Sequence, residues 1–151
     1  MPVKPIAYVQ ASWHREILEH CKTAFMAEMT KHGYRTDDVE FFSSPGSLEI
    51  PLMAKKLAKT GRYAAVCASG LVVDGGIYRH EFVAQAVLHG IVQTSLETEV
   101  PVLSAVLTPH HFHEHAAHEA FFKEHMRVKG KELAEACISI IEKLSAVDAL
   151  V

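Results

Sequence analysis

Short runs of apolar, β-prone residues alternate along the chain with longer segments whose apolar residues recur at helical spacing. Of all the features of the sequence, this alternation most restricts the possible folds. The run from Tyr63 to Ser69 is almost continuously apolar, as in a parallel strand buried on both faces. The pattern predicts strands at 6–10, 39–42, 63–69 and 100–107, and helices at 13–31, 48–59, 78–96, 111–125 and 131–144. Strands that alternate with helices indicate an α/β protein whose parallel sheet is covered on both faces.

In such folds ligands gather beyond the carboxyl ends of the strands. The segments in that position are 11–14, 44–49, 70–80 and 107–118. We therefore expect them to converge on one crevice.

Length and composition exclude several classes of protein. With 151 residues we expect one domain over 1–151, and no apolar stretch is long enough to span a membrane. The net charge of -3 comes from 15 basic and 18 acidic residues without a basic stripe, so nucleic-acid binding is not expected. The beginning of the chain lacks the pattern of a signal peptide, and a cytoplasmic location is expected.

Three cysteines, Cys21, Cys67 and Cys137, lie far apart in apolar segments and form no CxxC pair. An odd number of dispersed cysteines is typical of free, buried thiols in a reducing compartment. No disulfide is predicted.

Trp13, the only tryptophan, follows the first strand directly, where an indole can stack on a flat heteroaromatic ligand. The alternative is an anchor in the core or in a subunit interface. The sequence GSLEIP at 46–51 opens a helix whose first amides can bind the polar edge of a ligand. Glu49 in that turn is equally compatible with helix capping, which its residue type favours.

The turn Asp74-Gly75-Gly76 precedes a helix and resembles an anion-binding nest. Beside it, Arg79 offers a fixed cation for a phosphate or an oxyanion, and His80 offers a proton carrier near neutral pH. Either residue can instead form a cap or an ion pair with a neighbouring subunit.

Histidine is abundant, with 11 in the chain. Six of them lie close together: His110, His111, His113, His115, His118 and His125. Imidazoles at helical spacing can share a zinc ion, but no cysteine lies nearby and no pair fits a HExxH pattern. An anion-binding or interface surface is the preferred interpretation, with the metal site as the alternative.

The order of several motifs resembles the lumazine synthase family over nearly the whole chain. These motifs are Trp13, GSLEIP at 46–51, SGLVVDGG at 69–76, HEFV at 80–83, VPVLSAVLT at 100–108 and VKG at 128–130. The resemblance implies a flavodoxin-like three-layer sandwich around a four-stranded parallel sheet of order 2-1-3-4. It also implies an enzyme that joins 5-amino-6-(D-ribitylamino)uracil to 3,4-dihydroxy-2-butanone 4-phosphate, releases phosphate and water, and uses no cofactor or metal.

The family's site residues fall on matching positions of this chain when the sequences are aligned without gaps. Trp13 stands where the family usually has a phenylalanine stacked on the pyrimidine. The resemblance further implies three groups of contacts: Ser47, Leu48 and Glu49 on the ribityl side, Leu71, Val72 and Val73 through their backbones, and Gly76 and Ile77 at the butanone phosphate. Ser104 matches a residue that contacts the uracil across a subunit boundary.

The chain departs from the family pattern at the reacting groups. The family's proton-shuttling histidine aligns with Arg79, and His80 follows one residue later. Because an arginine does not readily release its proton, Arg79 is expected to orient and stabilise, while His80, water or substrate phosphate moves the proton. His118 aligns with the family's phosphate-binding arginine, in a stretch longer than usual.

The segment HEAFFKEHMRVKG replaces the glycine-rich turn of shell-forming relatives, so a closed shell is not expected. Together with Trp13 and the histidines, it resembles the subgroup that forms decamers from two pentamers, with active sites shared between subunits. Two alternatives remain: a flavin- or pterin-binding carrier with weak catalysis, and a scaffold-like assembly.

Overall fold

The computed structural model describes residues 4–73, 80–109 and 116–151, with the side chains of the last range from Ala120 onward. Within these ranges four strands alternate with four α-helices. They are β1 (Ile6–Ala11), α1 (Arg15–Lys31), β2 (Val39–Ser44), α2 (Ile50–Lys59), β3 (Ala65–Leu71), α3 (His80–Thr98), β4 (Val102–Leu107) and α4 (Ala116–Asp148). Short 3-10 turns at Thr36–Asp38 and Ser47–Glu49 precede β2 and α2.

The four strands form one parallel sheet in the order β2-β1-β3-β4. Ile6 in β1 pairs with Val39 on one side and with Ala65 on the other, and Val66 in β3 pairs with Val102. The α/β class, the parallel sheet and the strand order are therefore confirmed, and the arrangement is that of a flavodoxin-like fold.

The core lies on both faces of the sheet. All seven residues of β3 are buried, as its continuous apolar run predicts. Tyr8 of β1 points toward α1, where its ring contacts Phe25 at 4.9 Å between centroids and its hydroxyl donates to the Cys21 Sγ at 3.4 Å. Helices α1 and α4 pack together over one face of the sheet, and α2 and α3 pack together over the other.

Helix α1 shows how the sequence pattern becomes structure. Its apolar residues at helical spacing are all buried: Ile17, Leu18, Cys21, Phe25 and Met29. The helix ends as predicted before Gly33, whose φ of 92° lies in the left-handed region that favours glycine. The amide of Gly33 donates to the Thr30 carbonyl at 3.0 Å, so one of the last carbonyls of the helix is satisfied.

The prediction of two final helices was wrong, because α4 is continuous from Ala116 to Asp148. The predicted break contained Gly130, which the structure places inside the helix at its crossing with α1. A Cβ on Gly130 would lie 2.2 Å from the Cys21 carbonyl oxygen. The glycine thus permits close helix packing and does not end the helix.

Other differences concern element ends. The predicted start of the second helix at Leu48 falls in the 3-10 turn, and α2 begins at Ile50. Residues 78–79 and 111–115 of the predicted helices lie outside the described residues. No helix in the described ranges combines the length and the hydropathy needed to cross a membrane.

Candidate active site

The direction of the chain connections changes between β1 and β3. From β1 the chain passes through α1 to β2 on one side, whereas β3 lies on the other side of β1. At such a point the loops beyond the carboxyl ends diverge and leave a crevice, which is where ligands bind in open parallel sheets.

A cavity of about 250 Å³ opens at this place. Residues following β1, the turn before α2, the end of β3 and the second turn of α3 line it: Trp13, Gly46, Ser47, Leu48, Glu49, Leu71, Val72 and Val83. Six of the residues singled out from the sequence are thus brought together, because the ends of neighbouring parallel strands meet at one edge.

Trp13 lies at the mouth of this cavity. His14, with a left-handed φ of 57°, turns the chain from β1 into α1 and precedes its first helical residue. The indole is 70% exposed, so Trp13 is not a core anchor. Its Cδ1 and Nε1 atoms lie 3.7 Å from the position that a Cβ on Gly46 would occupy, and the ring therefore rests against the turn before α2.

Hydrogen bonds hold that turn to the ends of β1 and β2. The hydroxyl of the buried Ser44 donates to the Gly46 carbonyl at 2.6 Å, and Ser12 donates to the Ser44 carbonyl at 2.7 Å. On its far side the buried Ile50 anchors the turn in the core. Gly46 and the residues after it are thus fixed at both ends.

Glu49 is the N-cap residue of α2, but its side chain makes no capping hydrogen bond. One carboxylate oxygen instead lies over Gly46, 3.0 Å from the position of a Cβ there. The carboxylate therefore makes no capping hydrogen bond, and its charge lies at the N-terminal end of α2, where it complements the helix dipole. It stands beside the indole of Trp13 at the rim of the cavity.

The arrangement suits a particular kind of ligand. An exposed indole can stack on a planar heteroaromatic ring. The hydroxyl of Ser47 and the carboxylate of Glu49, on the same turn, can bind the hydroxyl groups of an attached chain. Leu71 and Val72 supply an apolar wall, and the amide of Val72 is already bound to the Leu107 carbonyl at 2.8 Å.

Other predicted site residues lie elsewhere. Val73 is half-buried beyond β3 and does not line the cavity. Ser104 projects from β4 into a second cavity of about 450 Å³, beside Lys129 and Glu132 of α4. His80 begins α3 with its side chain 15% exposed and its Nδ1 3.7 Å from the Glu81 carboxylate, outside the lining of the first cavity.

Four predicted residues remain without a described side chain. Gly76, Ile77 and Arg79 lie outside the described residues, and so does the anion nest at 74–76. His118 lies in α4, where only the backbone is described.

With this geometry established, the comparisons with known proteins identify the family. The family model of 6,7-dimethyl-8-ribityllumazine synthase matches residues 4–145. The chain belongs to this family. A 6,7-dimethyl-8-ribityllumazine synthase of Rhodococcus erythropolis is 53% identical over 141 residues, which are 93% of this chain and 91% of the relative.

Two further relatives carry the name 6,7-dimethyl-8-ribityllumazine synthase 2. The protein of Pseudomonas syringae pv. tomato is 51% identical over 95% of this chain and 84% of its own length. The protein of Bradyrhizobium diazoefficiens is 53% identical over 90% of this chain and 81% of its own length. Membership of the lumazine synthase family confirms the resemblance seen in the sequence and the prediction of an enzyme.

Most of the histidines that suggested a metal site lie outside the described residues. The described residues contain no group of three or more His, Cys, Asp or Glu that could hold a metal ion. His110, His111, His113 and His115 lie outside the described ranges. The described His125 stacks on Phe121, with 6.0 Å between ring centroids.

Two lining residues were missed from the sequence. Val83 lies one turn after His80 on α3, and its helical spacing was the available signal. Gly46 is the first residue of the GSLEIP motif, but only the structure reveals that Trp13 and Glu49 both lie against it.

Proposed function

We propose that this chain catalyses the condensation of 5-amino-6-(D-ribitylamino)uracil with 3,4-dihydroxy-2-butanone 4-phosphate to 6,7-dimethyl-8-ribityllumazine, with release of phosphate and water. The observation that carries the proposal is the convergence of Trp13, Ser47 and Glu49 on one cavity in a member of this family. An aromatic ring beside a hydroxyl and a carboxylate matches a pyrimidine that bears a polyol chain.

Each side chain then has a role that its chemistry supports. Trp13 stacks on the pyrimidine, Ser47, Leu48 and Glu49 bind the ribityl side, and Leu71 and Val72 line the pocket, with Val73 next to them along the chain. Gly76 and Ile77 hold the butanone phosphate through their amides, and His118 contributes to the same anion. The uracil amine attacks the butanone carbonyl, and one water leaves as the imine forms. Phosphate is then eliminated, and the ribitylamino nitrogen attacks the second carbonyl and closes the ring with loss of another water. These steps need positioned donors and a proton carrier but no cofactor or metal.

Arg79 and His80 have different roles in the reaction, charge stabilisation and proton transfer. The guanidinium of Arg79 keeps its charge and stabilises the phosphate or the developing oxyanion. The imidazole of His80 carries the proton. We expect His80→Ala to lower kcat by about 10² to 10⁴ and to flatten the limb of the pH–rate profile that proton transfer creates. Arg79→Ala should lower turnover equally at every pH, so the two pH–rate profiles separate the roles, and a wild-type profile for His80→Ala would contradict this division.

The site is completed by a second copy of the chain. Large apolar side chains are exposed on the cavity wall and on the two helices that contribute to it, with Leu48 55% exposed, Leu52 63% exposed and Phe82 59% exposed. Ser104 lies in a different cavity and reaches the uracil only from a neighbouring subunit. The family is one of homo-oligomers acting on small molecules, and we propose that this chain forms a pentamer or a dimer of pentamers. We further propose that the whole chain 1–151 is one domain and that flavin is an additional ligand. A cytoplasmic location is expected, without a nucleic-acid or membrane partner.

The decisive experiment mixes both substrates with the purified protein and follows lumazine fluorescence together with phosphate release. Product formed at the rate of phosphate release supports the proposal. Tight binding of the uracil or of a flavin without product would overturn it in favour of a carrier. Dilution below the dissociation point of the oligomer should abolish turnover, because the sites are then incomplete.

A further inference from the structure

Gly70 lies directly behind the Ser47 hydroxyl, near the carboxyl end of β3. It is buried and pairs with Val106 of β4. A Cβ on Gly70 would lie 2.6 Å from the Ser47 Oγ, which is closer than real Cβ contacts come. The next atoms, the Ala11 Cβ at 3.5 Å and the Val106 Cγ1 at 3.6 Å, would be in ordinary van der Waals contact. The Ser47 hydroxyl alone occupies the space that a side chain at position 70 would need.

The backbone gives no other reason for a glycine here. Gly33 and Gly61 are the glycines with positive φ in the described ranges, and Gly70 is an ordinary strand residue. In a strand interior glycine is less favourable than alanine, because it loses more conformational entropy on folding. What position 70 requires is therefore the absence of a side chain.

The hydroxyl that fills this space is free to serve a ligand. Among the described residues the Ser47 Oγ has no hydrogen-bond partner, although its residue lines the cavity. Its position is set by packing against Gly70. The turn that carries it is held by the Ser44 to Gly46 hydrogen bond on one side and by the buried Ile50 on the other. A group placed at position 70 would therefore move the hydroxyl to another rotamer before it moved the turn.

We propose that Gly70 is a positioning residue that, by lacking a side chain, fixes where the Ser47 hydroxyl meets the polyol chain of the substrate. This inference rests on the proposed function, which assigns the ribityl chain to Ser47. Gly70 touches no substrate atom itself. It acts on the pyrimidine substrate through Ser47 and leaves the phosphate-bearing substrate unaffected.

The test is a cycle of Gly70→Ala, Ser47→Ala and the double variant, assayed with each substrate varied in turn. Gly70→Ala should raise KM for the ribitylamino-uracil about tenfold, as expected for one displaced hydrogen bond, with kcat changed less than about threefold. KM for the butanone phosphate should stay as in wild type. In the Ser47→Ala background, which lacks the obstructing oxygen, Gly70→Ala should change neither constant further.

The melting temperature supplies an independent measure of the same coupling. In the Ser47→Ala background Gly70→Ala should leave Tm unchanged or raise it, because alanine suits a strand better. In the wild-type background it should lower Tm. Equal effects of Gly70→Ala in both backgrounds, on KM or on Tm, would overturn the proposal and assign the glycine to the strand alone.

Two further outcomes remain interpretable. If Gly70→Ala alone does not fold, a folded double variant supports the proposal, and a double variant that also fails to fold overturns it. If the wild-type protein forms no lumazine, the proposed function fails. The Tm cycle then still decides whether Gly70 acts through Ser47.

Discussion

The indole of Trp13 packs against Gly46, and most of the ring is exposed at the mouth of the cavity. An isolated tryptophan at the surface is costly to hydrate, since the ring is largely apolar. The exposed ring is therefore available to a planar ligand or to the surface of a neighbouring subunit. Its position between the end of β1 and the turn before α2 also lets it contact a ligand bound by Ser47 and Glu49.

Replacing Trp13 tests the stacking role. Stacking of a base on an aromatic side chain contributes roughly 1 to 3 kcal/mol, so Trp13→Ala should weaken binding of the ribitylamino-uracil by about tenfold or more. Trp13→Phe keeps a ring and should stay close to wild type. Calorimetric titration measures both variants, and in the wild type the emission of this single tryptophan should fall on binding. Unchanged affinity in Trp13→Ala would contradict the assignment.

At the level of residues, the sequence predicted which segments form the cavity but not the contacts inside it. Trp13, Leu48 and Leu71 could be foreseen because each lies at or just beyond a strand end of a parallel sheet. The approach of the Ser47 hydroxyl to Gly70 could not, because it depends on the rotamer and on the packing of a turn against a strand distant in sequence.

Among the elements, α1 and α4 are in close backbone contact at Gly130. A Cβ there would lie 2.2 Å from the Cys21 carbonyl oxygen and 3.0 Å from the Ala24 Cβ, so an added methyl group meets backbone that cannot rotate away. We expect Gly130→Ala to lower the free energy of unfolding by about 3 kcal/mol, at the upper end of the cost of overpacking. Urea denaturation measures this change.

A matched comparison is Gly90→Ala, where α3 meets α2. There a Cβ would lie 2.9 Å from the Cβ and Cγ of Pro51, which are side-chain atoms at a helix start. Its cost should be smaller than that of Gly130→Ala, and Lys131→Ala at an exposed position should be nearly neutral. A Gly130→Ala protein as stable as wild type would show that the two helices can separate without loss.

The error about α4 has the same physical origin. From the sequence, a glycine after a charged stretch indicates a helix end as readily as a packing contact. Gly130 could be assigned to packing only once Cys21 was known to lie across from it. Helix α1, in contrast, was predicted almost to the residue, because its apolar residues recur at helical spacing and so mark the side of the helix that packs in the core.

A charged cluster joins β2 to the residues before β3. The guanidinium of Arg62 donates to the carboxylate of Glu40, from its Nε at 3.2 Å, and the Tyr63 hydroxyl donates to the same carboxylate at 2.8 Å. The hydrogen bond from Arg62, and then that from Tyr63, lowers the pKa of Glu40. The cluster therefore stabilises the fold while Glu40 is ionised.

The lowered pKa of Glu40 fixes the direction of a pH effect. Its contribution is complete above the unfolded-state pKa of about 4.3 and is lost as the pH falls through the lower folded-state value. Glu40→Gln should flatten the loss of stability in that acid range, and Arg62→Gln should do the same because the carboxylate loses its main partner. Chemical denaturation between about pH 3 and pH 6 measures this, and an unchanged slope in Glu40→Gln would contradict it.

At the scale of the whole molecule, all three thiols lie inside the core. Cys21, Cys67 and Cys137 are free and have no exposed surface. Burial raises the pKa of Cys21 to about 11 and raises that of Cys67 well above its usual range. Cys21 and Cys67 therefore carry little of the reactive thiolate at pH 8, and burial keeps reagents from all three thiols.

Thiol labelling should consequently report unfolding. The folded protein should react with dithionitrobenzoate only slowly, at a rate that stops rising with reagent concentration once opening is limiting, and denatured protein should release three equivalents. Ala27→Cys on the exposed side of α1 is the control and should label within seconds. Rapid labelling of the wild-type protein would mean that part of the core opens readily.

The strand order also determines when the sheet can form during synthesis. In the described sheet every pair of neighbouring strands is parallel, and at least one helix lies between the two strands in the sequence. No strand therefore meets its partner across a tight turn. The central β1 leaves the ribosome first, but its second partner, β3, follows only after α1, β2 and α2. At about 5 to 20 residues per second, the apolar β1 waits on the order of seconds for that partner. During that interval one edge of the apolar β1 has no partner, and unpaired apolar edges are the segments through which incomplete chains aggregate.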